Sequence, residues 1–172
     1  MRVVFLVFSA IVALTVQSVA GPRLEVFGAR PDWLLILVTF FAMHASGREA
    51  IVAGFCVGLA ADLLTLERPG LLSLSYLLVA AFVASIREYL FVGRMTTLLA
   101  LTFVCGLGLQ TSWLIYRRVL YNAYAAGWED VVISVLLVPA YSAAWAALVH
   151  FLLMPAARFC GFARIPKKRF RL

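Results

Sequence analysis

Residues 47–76 read GREAIVAGFCVGLAADLLTLERPGLLSLSY, and this stretch decides the fold that the sequence predicts. The sequence predicts one apolar helix at residues 50–66 and a second apolar helix after the turn at Arg68-Pro69-Gly70. Proline and glycine in succession are typical of a tight turn between two regular elements. The stretch therefore predicts a helical hairpin.

Gly54, Gly58 and Asp62 recur every four residues along the first helix of this hairpin, so they share one face. Two glycines at this spacing allow another helix backbone to come close, which is a main source of helix association in lipid. A carboxylate on the same stripe must face protein or water, because hydrocarbon offers it no partner. We therefore predict a helix-packing surface at Gly54, Gly58, Asp62, Pro69 and Gly70, occupied by a helix of the same chain or by one of a partner. For Asp62 three roles stay open: a cap on a neighbouring helix, a pair with an arginine of a partner, and proton or ion coupling.

The composition indicates a membrane protein that crosses the bilayer several times. Of the 172 residues, 65% are hydrophobic and 13% are charged, whereas a soluble domain is about 45–50% apolar. The apolar runs predict an all-α bundle of six transmembrane helices, at residues 3–20, 33–45, 50–66, 71–86, 95–116 and 131–153. We interpret residues 1–172 as a single integral membrane domain.

The first apolar run allows two interpretations. Residues 3–20 form an uncharged apolar run after Arg2. We expect a retained first helix, because the remaining chain inserts in the membrane without needing a cleaved signal. The alternative is a secretory signal, because Ser18-Val19-Ala20 resembles a small-x-small cleavage site.

The second and sixth predicted helices contain residues that predict local features of these helices. Asp32 occupies the N-cap position of the second helix, and that helix is short for a span, so it is expected to borrow flanking residues or to thin the bilayer. Pro139 is expected to bend the sixth helix. The predicted packing face of that helix consists of small residues, Ala140, Ala143, Ala144 and Ala147.

The charges predict the orientation. The net charge is +7, and six of the 15 lysines and arginines follow Pro155. Residues 155–172 are therefore expected to form a basic cytoplasmic tail beside anionic lipid, a much better fit than contact with nucleic acid. Its anchoring residues are Arg164, Lys167, Lys168, Arg169 and Arg171. With six helices, ten basic residues fall on the side of both termini and five on the other side, which favours N-in and C-in.

The sequence offers no catalytic group. His44 and His150 end the second and sixth helices at the inner face, whereas Asp62 lies toward the outer face, roughly 20 Å away along helices that rise about 1.5 Å per residue. A nucleophile and its base need hydrogen-bond reach. There is no G-x-S-x-G elbow, H-E-x-x-H or C-x-x-C motif. We therefore expect a non-enzymatic protein with neither cofactor nor metal.

Residues 30–86 resemble the rod shape-determining protein MreD family. The family pattern is a Pro-Asp-led second helix, then G-F-x-x-G-L-x-x-D, then a turn and a Leu-rich helix with a tyrosine. The matching positions are Pro31, Asp32, Gly54, Phe55, Gly58, Leu59, Asp62, Pro69, Leu72, Leu74 and Tyr76. Members often have Pro-Leu-Gly at the turn, whereas this chain has Pro69-Gly70 directly.

The resemblance implies a scaffold of the elongasome, the cell-wall elongation machinery of rod-shaped bacteria, in the cytoplasmic (inner) membrane. It implies binding to an MreC-type partner and, indirectly, to MreB filaments, RodA and a class B penicillin-binding protein. It also implies a fold similar to the substrate-binding S-components of energy-coupling-factor transporters. The alternative function is accordingly the substrate-binding subunit of a vitamin transporter, which needs a polar pocket that opens outward. Its candidate residues are Ser73, Ser75, Tyr76, Gln110, Thr111 and Ser112.

Overall fold

The computed structural model describes residues 2–19, 21–26, 28–64, 70–87, 95–121 and 131–159. Within these ranges the chain forms six α-helices and no β-strand, which confirms the predicted all-α class. The helices are α1 (Arg2–Val19), α2 (Trp33–His44), α3 (Gly47–Leu64), α4 (Leu71–Ile86), α5 (Met95–Tyr121) and α6 (Val138–Phe159).

Helix α2 is the core of the bundle. Every residue from Leu34 to His44 is buried, and α1, α3, α4, α5 and α6 all contact this helix. Its sequence, WLLILVTFFAMH, is apolar on all sides, which is the pattern of a helix enclosed by others. The bundle is therefore built around α2 rather than around the α3–α4 hairpin. The 12 residues of α2 do not need to match the thickness of the bilayer, because protein surrounds them.

Two helix boundaries differ from the sequence prediction. Helix α3 begins at Gly47 because Ser46 and Glu49 form a capping box: the Glu49 N–H donates to the Ser46 hydroxyl at 3.4 Å and the Ser46 N–H donates to the Glu49 carboxylate at 3.1 Å. Helix α5 runs five residues beyond the predicted end, to Tyr121, since nothing at Arg117-Arg118 disfavours a helix.

The sixth helix is irregular where proline predicts it. A π-helical segment, Ile133–Leu137, comes just before Pro139. The proline ring cannot donate a backbone hydrogen bond and crowds the carbonyl four residues earlier, which favours such an insertion. At its other end α6 continues through Pro155 to Phe159. The segment predicted as a basic tail from residue 155 therefore starts as helix.

The packing face of α6 agrees only in part with the predicted one. Pro139, Ser142 and Ala146 are buried, Ala143 and Ala147 are half-buried, and Ala140 and Ala144 are exposed. The buried face matches its neighbour in shape, because a Cβ atom built on Gly106 of α5 would lie 2.9 Å from the Pro139 Cβ atom. The alanine spacing does not predict the whole face, because it contains no information on the contact between Gly106 and Pro139.

Candidate functional site

The glycine stripe, Gly54 and Gly58, lies against α4 of the same chain. A Cβ atom built on Gly58 would lie 2.5 Å from the Ser73 Cα atom and 2.9 Å from the Ser73 backbone nitrogen. One built on Gly54 would lie 2.7 Å from the Ala80 Cβ atom and 2.8 Å from the Tyr76 carbonyl oxygen. These distances leave no room for any side chain on α3 at either position. Of the two occupants that the sequence left open, the structure places the chain's own helix here.

Asp62 caps the N-terminus of α4. Its carboxylate accepts hydrogen bonds from the backbone N–H groups of Gly70, Leu72 and Ser73 at 3.0, 3.1 and 2.9 Å, and from the Ser73 hydroxyl. The first N–H groups of a helix have no partner within the helix, so this carboxylate supplies several at once. Gly70 has φ +102°, a conformation that side chains other than glycine's rarely allow. Pro69 lies outside the described residues, as do Arg164, Lys167, Lys168, Arg169 and Arg171.

A second carboxylate joins several helices at the start of α2. The Tyr76 hydroxyl of α4 donates to both oxygens of Asp32 at 3.0 and 3.1 Å, and the Asp32 N–H donates to the Ser142 hydroxyl of α6 at 2.9 Å. The Trp33 N–H donates to the Gln17 side-chain oxygen of α1 at 3.0 Å. We call Gln17, Asp32, Tyr76 and Ser142 the polar cluster. It connects the end of α1 and the beginnings of α4 and α6 to the core helix.

Asp32 is also the N-cap that the sequence predicts. Its Oδ1 atom accepts from the Leu35 N–H at 3.0 Å, which confirms that prediction. Asp32 lies just before α2, and burial raises the pKa of its carboxyl, because the loss of hydration outweighs the hydrogen bonds from Leu35 and Tyr76.

Arg87 holds the opposite end of α2. Its guanidinium donates to the carbonyl oxygens of Ala42, at 3.2 Å, and Ala45. Arg87 directly follows α4, so α4 and its C-terminal residue contact both ends of α2. Tyr76 contacts the N-terminal end of α2, and Arg87 contacts its C-terminal end. A negative charge at the N-terminus and a positive charge at the C-terminus both complement the helix dipole.

A cavity of about 290 Å³ lies beside the polar cluster. Its polar lining comes from Gln17, Ser18, Asp32, Ser75, Tyr76 and Gln110, and its apolar lining from Leu14, Leu34, Ala61, Leu64, Leu72, Leu109 and Trp113. Three of the six predicted pocket residues, Ser75, Tyr76 and Gln110, belong to this lining. The other three bond elsewhere: Ser73 to Asp62, and Thr111 and Ser112 to carbonyls of their own helix.

The two histidines meet at the other end of the bundle. The rings of His44 and His150 have centroids 5.7 Å apart, and the Phe40 ring stacks on His44 at 4.4 Å. The His44 Nδ1 atom lies 2.8 Å from the Phe40 carbonyl oxygen. Sequence reasoning placed both histidines at one end but missed their contact, since it depends on how α6 lies across α2.

We expect Tyr76→Phe to destabilise the bundle without changing its shape. The substitution removes only the hydroxyl that donates to Asp32, and a hydrogen bond to a charged group contributes about 1.5–3 kcal/mol. Thermal unfolding in detergent measures the loss. Ser85→Ala is the control, because its exposed hydroxyl bonds only to a carbonyl of its own helix. Equal midpoints for the two variants would contradict the assigned role of Tyr76.

Taken together, the helices define a class of protein. In the described part of the chain, Met95–Val119 and Ile133–Ala157 are long and apolar enough to cross a membrane. Large apolar side chains also remain exposed on the outside of the bundle, among them Leu63, Val119 and Phe151 at 76–78% exposure. An all-helical bundle with such an exterior is typical of helical membrane proteins.

The comparison with family models makes the identification specific. The model described as rod shape-determining protein MreD matches residues 1–160, and the chain belongs to this family. This confirms the resemblance seen in residues 30–86 and extends it over nearly the whole chain. Membership supports a role in determining rod shape. No curated protein and no solved structure gave a significant match.

Proposed function

We propose that this protein is a non-enzymatic scaffold of the cell-wall elongation machinery in the bacterial cytoplasmic membrane. In this proposal it binds an MreC-type partner directly, and reaches MreB filaments, RodA and a class B penicillin-binding protein through that partner, in support of peptidoglycan synthesis. The observation that carries the proposal is the family match over residues 1–160.

The proposal includes six membrane crossings with both termini in the cytoplasm. The excess of lysine and arginine on the side of the two termini supports this orientation. It places the polar cluster and the Asp62 cap toward the outer leaflet, and Arg87 with the histidine pair toward the cytoplasm. Helix α2 is about 18 Å long at about 1.5 Å per residue, so it is too short to span the bilayer by itself. It lies inside the bundle, where the surrounding helices separate it from lipid.

The proposed contact with the partner is the outer face of α3, which consists of Val52, Phe55, Leu59 and Leu63. All four side chains are exposed, Phe55 and Leu59 at 43% each. These two belong to the same G-F-x-x-G-L pattern as the glycine stripe. The glycines fix α3 to α4 on one side, and we propose that Phe55 and Leu59 pack on a membrane helix of the partner on the other.

Co-purification in mild detergent tests this contact. We expect Phe55→Ala with Leu59→Ala to reduce recovery of the MreC-type partner at least about tenfold, because truncating a central interface residue costs about 1–2 kcal/mol or more. The matched control is Leu78→Ala with Phe82→Ala on the outside of α4, where the side chains are 58% and 49% exposed. Equal recovery for the two double variants would contradict the contact.

A second candidate function is the substrate-binding subunit of a vitamin transporter. The cavity beside the polar cluster favours it, because polar side chains from several helices converge there. Isothermal titration of the purified protein with vitamins separates the two functions. A saturable signal would support the transporter, and a flat titration the scaffold.

A further inference from the structure

We propose that the cavity beside the polar cluster binds a protonated amine, either a soluble one or the ammonium headgroup of a lipid. This inference does not depend on the scaffold function, since a scaffold and a transporter subunit are both able to hold such a ligand.

The cavity has an acidic lining. Asp32 contributes a carboxylate to the lining, and its hydrogen bonds in the described part of the chain come from three neutral donors, the Leu34 and Leu35 N–H groups and the Tyr76 hydroxyl. No lysine, arginine or histidine of the described residues forms an ion pair with it. A carboxylate has about four acceptor positions, so these three donors leave about one for a ligand. Burial removes most of the water that would stabilise the charge of Asp32, and a bound cation replaces that stabilisation.

Two neutral polar side chains, Gln110 and Ser75, also line the cavity. Gln110 on α5 makes no hydrogen bond to the rest of the described chain, and its amide lies in the same lining as Asp32. Ser75 donates to the Leu71 carbonyl at 2.8 Å, which leaves its oxygen free to accept. Two oxygen acceptors and one carboxylate suit the three N–H bonds of a primary ammonium.

Size and ligand count argue against a metal ion. Calcium takes about six to eight oxygen ligands, and magnesium a near-octahedral set. The described residues contain no group of three or more His, Cys, Asp or Glu side chains that could hold a metal. The cavity, at about 290 Å³, lies instead near the lower end of small-molecule sites, which hold about 300–1,000 Å³. Its leucines match the methylene groups of an alkyl amine or of a lipid near its headgroup.

Native mass spectrometry of the full chain, released from nanodiscs of equal parts phosphatidylethanolamine and phosphatidylglycerol, tests the lipid source. A thermal-shift titration with ethanolamine and putrescine tests the soluble source. We expect at least one arm to show binding, and Asp32→Asn to weaken it about tenfold, because the asparagine keeps the cap but removes the charge. The control is Glu25→Gln, which removes an exposed carboxylate paired with Arg30 at 2.7 Å.

Retention of phosphatidylethanolamine alone assigns the lipid source, and a shift with the soluble amines alone assigns the free amine. Equal retention of both lipids, combined with no shift from either amine, would overturn the proposal. So would binding that Asp32→Asn leaves unchanged. If Asp32→Asn fails to fold, Gln110→Leu replaces it, since Gln110 holds no other part of the described chain in place. Unaltered binding in that variant would overturn the proposal equally.

Discussion

Gly58→Leu is expected to abolish folding of the bundle, and Gly58→Ala to lower the free energy of unfolding by about 1–3 kcal/mol, the usual cost of overpacking. A Cβ atom at this position meets the Ser73 Cα atom at 2.5 Å, and backbone cannot move aside as a flexible side chain does. The two helices must separate instead, which also breaks the Asp62 cap. Thermal unfolding monitored by size-exclusion chromatography measures both variants.

Gly108→Ala is the matched control for this prediction. Gly108 is a helical glycine in α5, and a Cβ atom built on it meets no atom within 4 Å. Because alanine favours a helix over glycine by about 1 kcal/mol, Gly108→Ala is expected to be neutral or stabilising. A Gly58→Ala variant as stable as Gly108→Ala would contradict the close packing of α3 on α4.

Replacement of Asp62 is expected to have the second largest effect. Asp62→Leu leaves the N–H groups of Gly70, Leu72 and Ser73 without their acceptor in a site where Asp62 is only 4% exposed. The Ser73 donor is buried and the other two are partly buried. Because a buried donor left unsatisfied costs about 1–3 kcal/mol, we expect a loss of at least about 1–3 kcal/mol. Chemical unfolding in mixed micelles gives the free energy.

Two further variants separate hydrogen bonding from charge at the same position. Asp62→Asn keeps one acceptor oxygen, and Ser73→Ala removes only the hydroxyl donor. If hydrogen bonding matters more than charge, the free energy of unfolding decreases in the order wild type, Ser73→Ala, Asp62→Asn, Asp62→Leu. Asp62→Asn as unstable as Asp62→Leu would show instead that the negative charge matters most.

Much of the fold is readable from the sequence because its signals are local. Apolar runs bounded by turn residues predict six helices, and a carboxylate before Trp33 predicts the cap at Asp32. The central position of α2 was missed, although WLLILVTFFAMH is apolar on every side and that pattern indicates enclosure. The short length of the helix is by itself equally consistent with local thinning of the bilayer and with enclosure by other helices.

The candidate site was only partly predictable. The four-residue spacing of Gly54, Gly58 and Asp62 indicates a shared face, but not which helix lies against it. The polar cluster joins residues as far apart as Asp32 and Ser142, which are 110 positions apart in the chain. Single-sequence reasoning has no signal for such pairs, because they depend on how distant helices pack.

Photocrosslinking in living cells tests most directly the proposal that the outer face of α3 binds an MreC-type partner. A photoreactive phenylalanine derivative replaces Phe55 or Leu59, and in control strains Leu78 or Phe82 on the outside of α4. We expect a crosslink to the partner from positions 55 and 59 and none from positions 78 and 82. Crosslinks from the α4 positions alone, or from none of the four, would contradict it.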